Sequence, residues 1–430
     1  MKRLIENKLL QWKNKKNKMP LLVYGARQVG KTYTIYNFGK ENYSNCVYLN
    51  FEGNTTLQHI FESDLNPTRI IRELESLSAQ RISPKTTLLF FDEIQACEKA
   101  LTSLKYFCEN APEFDVVAAG SLLGVAVNGK NFSFPVGKVE ILTMYPMSFE
   151  EFLNSANEML LEGIKRGFEK DEPLSIPIHQ AALTLYKTYL VVGGMPKAVL
   201  EYTNKKDFDF VRVAQQEIHD NYSSDMVKYA TKTEAMKIKE VYDSIPFQLA
   251  KENKKFQYAL VKSNARAASY EIGLSWLSAA GVVLKCDKVN EGKMPLAFYR
   301  DALSYKIYMS DVGLLTAKSN MSAALLLSGE NIGGEAKGAI TENYVAQQLT
   351  SNGHTLYYWE SKGEAELDFV LQKDDKIIPI EVKSADNVRA KSLGQFVKKY
   401  GIDYSIRISS KNFGFENNIK SVPLYAVFCI

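Results

Sequence analysis

The segment from Gly25 to Thr32 constrains this chain more than any other. It has the sequence GARQVGKT, which matches the pattern G-x-x-x-x-G-K-[ST]. An apolar run, Leu21–Tyr24, precedes it and predicts a buried strand, and a helical pattern begins at Lys31. A strand, a glycine-bearing loop and a helix start in this order predict a phosphate-binding loop, or P-loop, lined by backbone N–H groups. An ordinary glycine-rich turn before a helix is the competing interpretation.

The residue types of this loop suit a nucleoside triphosphate bound with a metal ion. Glycines let the backbone approach phosphate closely, and the helix adds the positive end of its dipole. We expect Lys31 to place its charge on the β- and γ-phosphates and Thr32 to offer its hydroxyl to the metal. The predicted cofactors are therefore ATP and Mg²⁺. The residues expected to contact the nucleotide are Gly25, Ala26, Arg27, Gln28, Val29, Gly30, Lys31 and Thr32.

A later strand-like run, LLFF, ends in two acids, Asp92 and Glu93. An acid at the tip of a strand buried on both faces is costly unless it serves a purpose. We expect Asp92 to hold Mg²⁺ through water and Glu93 to polarise the attacking water as general base. A strand that simply ends in solvated acids is the alternative.

The next apolar strand ends at Ser121, which is predicted to lie near the γ-phosphate, although a plain turn serine fits as well. The arginine finger is not fixed by the sequence. Lys138, Arg212 and Arg266 are candidates, and a neighbouring subunit is another source.

Strand-like and helical patterns alternate over about the first 120 residues, which favours an α/β fold of the P-loop NTPase kind with a parallel sheet. We predict a P-loop ATPase core over residues 1–147 and a helical lid over 148–237. A winged-helix-like segment is predicted over 238–328, and an endonuclease-like α/β domain over 329–430.

The last domain contains a pattern that suits metal-dependent phosphodiester chemistry. Glu381 and Lys383 lie two apart in a strand-like run and so share a face, and Asp368 lies on the preceding strand of a predicted hairpin. With Glu342 from a helical segment, the three carboxylates are predicted to hold Mg²⁺ while Lys383 activates water. A surface hairpin with solvated charges is the alternative. The basic residues that follow are either phosphate contacts or a solvated helix face; they are Lys383, Arg389, Lys391, Lys398 and Lys399.

Taken in order, these pieces resemble the prokaryotic AAA-type P-loop ATPases that carry a C-terminal domain of restriction-endonuclease-like, PD-(D/E)xK, pattern. The matching motifs span nearly the whole chain: GARQVGKT, LLFFDEIQ, AAGSLLG, YPMSFEEFL, YLVVGGMPKAVL, YMSDVGLL, GAITENYVAQQL, YYWESKGEAELDFVL and IPIEVKS. The resemblance implies hydrolysis of Mg·ATP and the four-part organisation above. It also implies that Gly194, Met195 and Pro196 touch the adenine side of the nucleotide, although a helix start at Pro196 explains them equally.

Two positions depart from the pattern of the family. Lys138 follows Gly137 where many members carry arginine, and Glu360 follows Trp359 where members often carry arginine. The first weakens a finger assignment, and the second reverses a charge near the predicted cutting site.

The sequence therefore favours an ATPase coupled to a nuclease-like domain that engages nucleic acid. The first alternative is a nucleotide-controlled switch whose C-terminal domain binds DNA, RNA or a protein without cleaving it. A scaffold with an inactive nucleotide site is the second.

The cysteines, the net charge and the apolar runs of the chain predict where the protein is located and argue against some kinds of site. The five cysteines are scattered, with no CxxC pair, which argues against a disulfide framework or a zinc site and predicts a cytoplasmic protein. A net charge of +4 does not by itself indicate nucleic acid. No apolar run reaches the length of a membrane span, so no membrane partner is predicted, while a homo-oligomer is left open.

Overall fold

The computed structural model describes residues 1–121, 134–251, 254–263, 267–330, 332–361, 365–384 and 391–430. The chain divides into two compact units. Unit 1 consists of Met1–Tyr145 with Ala279–Gly281, and unit 2 consists of Pro146–Ser278 with Val282–Ile430. Within the described ranges, no helix combines the length and apolar character needed to cross a membrane.

A five-stranded parallel sheet forms the centre of unit 1. Its strands are β1 (Leu21–Tyr24), β2 (Asn45–Asn50), β3 (Thr87–Asp92), β4 (Asp115–Ala119) and β5 (Glu140–Thr143). The order across the sheet is β2-β3-β4-β1-β5. Parallel strands place their carboxyl ends at one edge, so the residues that follow β1, β3 and β4 lie side by side there. The parallel α/β sheet predicted from the sequence is confirmed.

The helices of unit 1 bury the apolar faces of this sheet. They are α1 (Ile5–Asn14), α2 (Lys31–Asn42), α3 (Thr55–His59), α4 (Pro67–Ser78) and α5 (Glu98–Asn110), with a 3₁₀ turn at Ile94–Ala96. All six residues of β3 are buried. Phe91 of β3 makes edge-to-face ring contacts with Phe51, Phe61 and Phe107, which fixes the strand that ends in the acidic pair.

Unit 2 begins with helices, as the pattern after residue 148 indicates. They are α6 (Phe149–Ala156), α7 (Glu158–Lys170), α8 (Ile176–Val192), α9 (Pro196–Lys205), α10 (Phe208–Lys228), α11 (Lys232–Leu249), α12 (Tyr258–Val261) and α13 (Ala267–Ala279). Later helices are α14 (Val312–Lys318), α15 (Ala323–Ser328), α16 (Gly334–Ser351) and α17 (Lys391–Tyr400), with 3₁₀ turns at Leu296–Tyr299 and Leu424–Cys429.

A mixed eight-stranded sheet completes unit 2. Its strands are β6 (Val283–Val289), β7 (Arg300–Met309), β8 (Tyr357–Glu360), β9 (Glu366–Lys373), β10 (Lys376–Val382), β11 (Ser405–Ser409), β12 (Gly414–Glu416) and β13 (Ile419–Pro423). The order is β12-β13-β11-β10-β9-β8-β6-β7. The predicted hairpin is present, because β9 and β10 pair antiparallel from Ile380 opposite Phe369 to Lys376 opposite Lys373.

The winged-helix interpretation of residues 238–328 is not supported by this sheet. Its two strand-like runs are β6 and β7, which pair with each other antiparallel. β6 also pairs parallel with β8, from the segment predicted to be endonuclease-like. The backbone groups of β6 thus find partners on both sides, and one sheet joins two segments that the sequence assigned to separate domains.

The Gly193–Gly194 turn is a packing centre of unit 2. The backbone N–H of Gly194 donates to Asp311 Oδ2 at 2.6 Å, and a Cβ at Gly194 would meet the carbonyl oxygen of Met147 at 1.9 Å. Met195 is fully buried, and Pro196 is the first residue of α9. These contacts account for the Gly-Gly-Met-Pro sequence without a nucleotide, so the predicted contact with adenine has no support.

Candidate nucleotide site

The P-loop connects β1 to α2, and its backbone has conformations that favour glycine. Gly25 has φ +147° and Gly30, the N-cap of α2, has φ +96°. A Cβ at Gly25 would lie 2.1 Å from the carbonyl oxygen of Met144. Gln28 also has a positive φ, +67°. The loop is therefore wound tightly where β1 ends, as a phosphate-binding loop requires.

Arg3 braces this loop from the N-terminal segment. Its guanidinium is buried and donates to the carbonyl oxygen of Val29 at 2.7 Å and to that of Tyr145 at 2.8 Å. No sequence pattern distinguishes Arg3, because it is one basic residue in a lysine-rich opening segment.

The Lys31 ammonium lies inside the loop. It donates to the carbonyl oxygens of Gly25 and Ala26, each at 2.8 Å, and the side chain is buried. Burial lowers the pKa of Lys31 to about 8, although Glu93 and Asp92 act in the opposite direction. A cation that burial disfavours gains from an anion placed beside it, so this loop fits the phosphates of a nucleotide.

Asp92 and Thr32 come together at the carboxyl edge of the sheet. The Thr32 hydroxyl donates to Asp92 Oδ2 at 2.8 Å, and the Tyr48 hydroxyl donates to the same oxygen at 3.0 Å. Asp92 is buried, and burial raises its pKa above the ordinary value. A hydroxyl and a carboxylate beside the P-loop are oxygen ligands of the kind that Mg²⁺ prefers. Sequence reasoning missed Tyr48, which lies on β2 opposite Phe90 of β3.

Glu93 is held in place by two neighbours. The Ser121 hydroxyl donates to Glu93 Oε2 at 3.2 Å, and the Gln95 amide donates to the same oxygen. Glu93 itself has φ +49°, a left-handed conformation that turns the chain sharply after β3. Ser121, predicted near the γ-phosphate, therefore contacts the predicted general base. Gln95, two residues after Glu93, was not predicted.

None of the arginine-finger candidates gains support. Lys138 forms an ion pair with Glu109 at 3.0 Å. Arg212 donates to Gln215 at 2.9 Å and to the carbonyl oxygen of Met321 at 2.5 Å, which gives it a packing role within unit 2. Arg266 lies outside the described residues.

The predicted metal site of unit 2 contains lysines among its acids. Lys306, almost fully buried on β7, forms ion pairs with Glu342 of α16 at 3.0 Å and with Glu366. Lys254 and the Tyr308 hydroxyl also contact the Glu342 carboxylate. Burial opposes the charge of Glu342, but Lys254 and Lys306 outweigh it and lower the pKa of Glu342 to about 2. Glu342 is thus an ionised, already neutralised group.

The other two predicted metal ligands also have protein partners. Asp368 Oδ2 accepts the backbone N–H of Val382 at 2.7 Å, and burial and Glu342 raise the pKa of Asp368 to about 7. Glu381 Oε1 pairs with Lys383 at 2.7 Å, whereas the buried Oε2 of Glu381 has no hydrogen-bond partner among the described residues. Over the part of the chain that the structure describes, no three His, Cys, Asp or Glu side chains are grouped as metal ligands. The metal roles of Glu342, Asp368 and Glu381 therefore stay a prediction.

Part of the basic region after Lys383 can be placed. Arg389 lies outside the described residues, as does the Lys391 side chain. The Lys399 ammonium lies over the Trp359 and Tyr400 rings, at 5.6 and 4.9 Å from their centroids. Glu360, the family departure, pairs with Lys288 of β6 at 2.9 Å, which gives its carboxylate a partner within the sheet.

Three family models match separate segments of the chain. Residues 17–153 match the model of an AAA domain. Residues 183–325 and 337–427 match two domains of unknown function, DUF8612 and DUF4143. No curated protein sequence matches the chain.

Three solved structures are similar at low identity. The Walker-type ATPase PABY2304 of Pyrococcus abyssi is 15% identical, with a TM-score of 0.44, over 74% of this chain and 95% of that one. The Aeropyrum pernix Orc1 protein, solved in complex with DNA, is 14% identical, with a TM-score of 0.31, over 74% and 93%. Thermotoga maritima RuvB is 18% identical, with a TM-score of 0.31, over 65% and 87%. These likenesses are too weak to support a conclusion about partners.

The P-loop, the acidic pair after β3 and the parallel sheet that carries them all fall within the stretch that matches the AAA domain. Residues 17–153 thus match the model of an AAA domain, and the protein is an ATPase of the P-loop type.

Proposed function

We propose that unit 1 hydrolyses Mg·ATP with Glu93 as the general base and Asp92 as the acid that seats the metal. The observation that carries the proposal is the 2.8 Å contact between Thr32 and Asp92, because it brings the start of α2 and the end of β3 to one point. Glu93 follows Asp92 directly, and Ser121 holds its carboxylate at 3.2 Å.

Each side chain has a distinct task in this proposal. Lys31 binds the β- and γ-phosphates, and Thr32 and Asp92 hold Mg²⁺, which when bound neutralises charge on the phosphates. Glu93 accepts a proton from the attacking water. Ser121 and Gln95 orient the Glu93 carboxylate, and Tyr48 does the same for Asp92.

The test compares three variants of the full chain. We expect Glu93→Gln to retain ATP affinity but to lower kcat by about 10²–10³-fold, because the amide cannot accept the proton. We expect Lys31→Ala to abolish ATP binding measured by calorimetry. The control, Glu113→Gln, removes an exposed acid of unit 1 and should leave both quantities unchanged. Unchanged kcat in Glu93→Gln would exclude this residue as the base, and unchanged ATP affinity in Lys31→Ala would overturn the nucleotide assignment.

For unit 2 we infer a binding module that does not cleave, in preference to a nuclease. The supporting observation is Lys306, which lies between Glu342 and Glu366 and supplies the positive charge that a metal would otherwise bring. The nucleotide state of unit 1 would then control what unit 2 binds, and nucleic acid is the first class to test. Mg²⁺-dependent nicking of DNA or RNA that disappears in Lys383→Ala while ATPase activity persists would restore the nuclease interpretation.

A further inference from the structure

Unit 2 contains a cavity of about 580 Å³ that the proposed functions do not use. Its volume lies in the range of small-molecule sites, about 300–1,000 Å³. Every residue that lines it belongs to unit 2.

The carboxyl ends of parallel strands form one side of this cavity. β10, β11 and β13 are parallel neighbours. The lining residues Ser384, Ser410 and Leu424 come directly after or within two residues of their last positions. Ligands of open α/β sheets bind in crevices outside this end of the strands. The cavity thus lies where sheet geometry favours a ligand.

Three helices, α8, α15 and α16, supply most of the remaining lining, which is partly apolar and partly polar. Residues from one face of α8 and from the first two turns of α16 line the cavity. Leu183, Leu326 and Ile340 give it an apolar part. Gln180, Lys187 and Lys337 give it hydrogen-bond donors.

The charge of the lining is positive. Lys187 and Lys337 both line the cavity, and no aspartate or glutamate is among the described residues that do so. Lys187 donates to the carbonyl oxygen of Leu327 at 3.0 Å, which uses one of its three N–H groups. Neither lysine forms an ion pair with a described carboxylate. Half-buried ammonium groups that face a cavity without an acid favour an anionic ligand.

We propose that this cavity binds a small phosphomonoester. Its phosphate would lie between Lys187 and Lys337, and its apolar part would pack against Leu183, Leu326 and Ile340. Two lysines match the nearly double negative charge of a phosphomonoester at neutral pH better than the single charge of a carboxylate. The Ser384 hydroxyl and the Gln180 amide add hydrogen-bond donors to the lining.

The test uses phenyl phosphate as probe, titrated calorimetrically into the full chain, with phenol and benzoate for comparison. We expect binding of phenyl phosphate, at least tenfold weaker binding of benzoate, and none of phenol. Lys187→Gln and Lys337→Gln should each weaken phenyl phosphate at least tenfold, whereas Lys232→Gln, an exposed lysine at the start of α11, should not. Thr184→Trp, at an exposed position of the cavity wall, should block binding without touching a charge.

Three results would overturn the proposal. The first is no binding of phenyl phosphate to the wild-type chain. The second is binding lost in Lys31→Ala but retained in Lys187→Gln, since that would assign it to the P-loop. The third is benzoate that binds as tightly as phenyl phosphate.

Discussion

Lys31 shows how a single residue carries both a cost and a function. Its ammonium is buried among the carbonyl oxygens of its own loop, and burial lowers its pKa from 10.5 to about 8. When folding lowers the pKa of a basic group, the charged form of that group is less favourable in the folded state than in the unfolded chain, which lowers the free energy of unfolding. That cost is present below about pH 8, and the free energy of unfolding rises with pH between about 8 and 10.5, where only the unfolded chain holds the proton. Burial favours the neutral form of Lys31, whereas a bound phosphate favours the charged form.

Nucleotide binding should therefore be linked to proton uptake at Lys31. Near pH 9 most of the free protein has a neutral Lys31, and the phosphates restore the charged form, so we expect uptake of about one proton per ATP. At pH 7 Lys31 is already charged and uptake should be near zero. Affinity for ATP should fall as pH rises above about 8. Calorimetry at pH 9 in two buffers of different ionisation enthalpy measures the uptake. Equal heats in both buffers would contradict the linkage.

The residues of this site that belong to a local motif could be predicted from the sequence. Those that tertiary contacts bring to the site could not. Lys31, Thr32 and Asp92 follow from the loop motif and the strand-end acid, and these three residues lie close together in the structure. Tyr48 contacts Asp92 because of the register between β2 and β3, and the buried guanidinium of Arg3 contacts the P-loop at Val29. Neither residue belongs to a sequence pattern that would predict its contact.

At the scale of the element, the P-loop depends on a backbone that only glycine accommodates at its first position. Gly25 has φ +147°, and any Cβ there would overlap the carbonyl oxygen of Met144. Gly53 also has positive φ, +70°, but nothing lies within 4 Å of its Cβ position. A side chain at Gly53 would cause backbone strain alone, whereas a side chain at Gly25 would cause both strain and a steric clash.

We expect Gly25→Ala to abolish ATP binding and Gly53→Ala to leave it unchanged. Both substitutions should lower the free energy of unfolding by about 1–3 kcal/mol through backbone strain. Only Gly25→Ala must also displace the end of β1 from Met144, so its loss of stability should be the larger. ATP titration and urea unfolding of both variants provide the measurements. If Gly25→Ala bound ATP with full affinity, the P-loop backbone could shift away from Met144 and still bind the nucleotide.

Elements that the sequence predicted poorly are those whose partners are remote in the chain. β5 is a short, half-buried edge strand and has no continuous apolar run. Strand-like runs predicted β6 and β7, yet nothing local to β6 specifies its parallel pairing with β8, about 70 residues later. Local patterns predict that a strand exists, whereas the sheet it joins depends on long-range packing.

At the scale of the whole molecule, the two units handle their buried charges differently. In unit 1, Lys31 and Asp92 are each disfavoured by burial, and ligands of opposite charge relieve both. In unit 2, Glu342, Glu366 and Asp368 face Lys306, and their attraction raises the pKa of Lys306 well above its ordinary value despite burial. The first arrangement favours ligands of opposite charge, whereas the second pairs Glu342 and Glu366 with lysines of the same unit.

Removal of Lys306 tests this distinction. Lys306→Met removes the cation that both Glu342 and Glu366 contact, while Lys254 still pairs with Glu342. We therefore expect the free energy of unfolding to fall by more than about 1 kcal/mol but by less than the roughly 3–5 kcal/mol that a fully unpaired buried charge costs. Lys239→Met, which breaks the exposed pair with Asp243, should cost less than about 1 kcal/mol. If the acids are structural, Mg²⁺ or Mn²⁺ should not restore the stability of Lys306→Met, since Lys254 still pairs with Glu342 and Lys383 still pairs with Glu381. Metal-dependent recovery, together with nicking of DNA, would instead show that Lys306 occupies a site these carboxylates can offer to a cation.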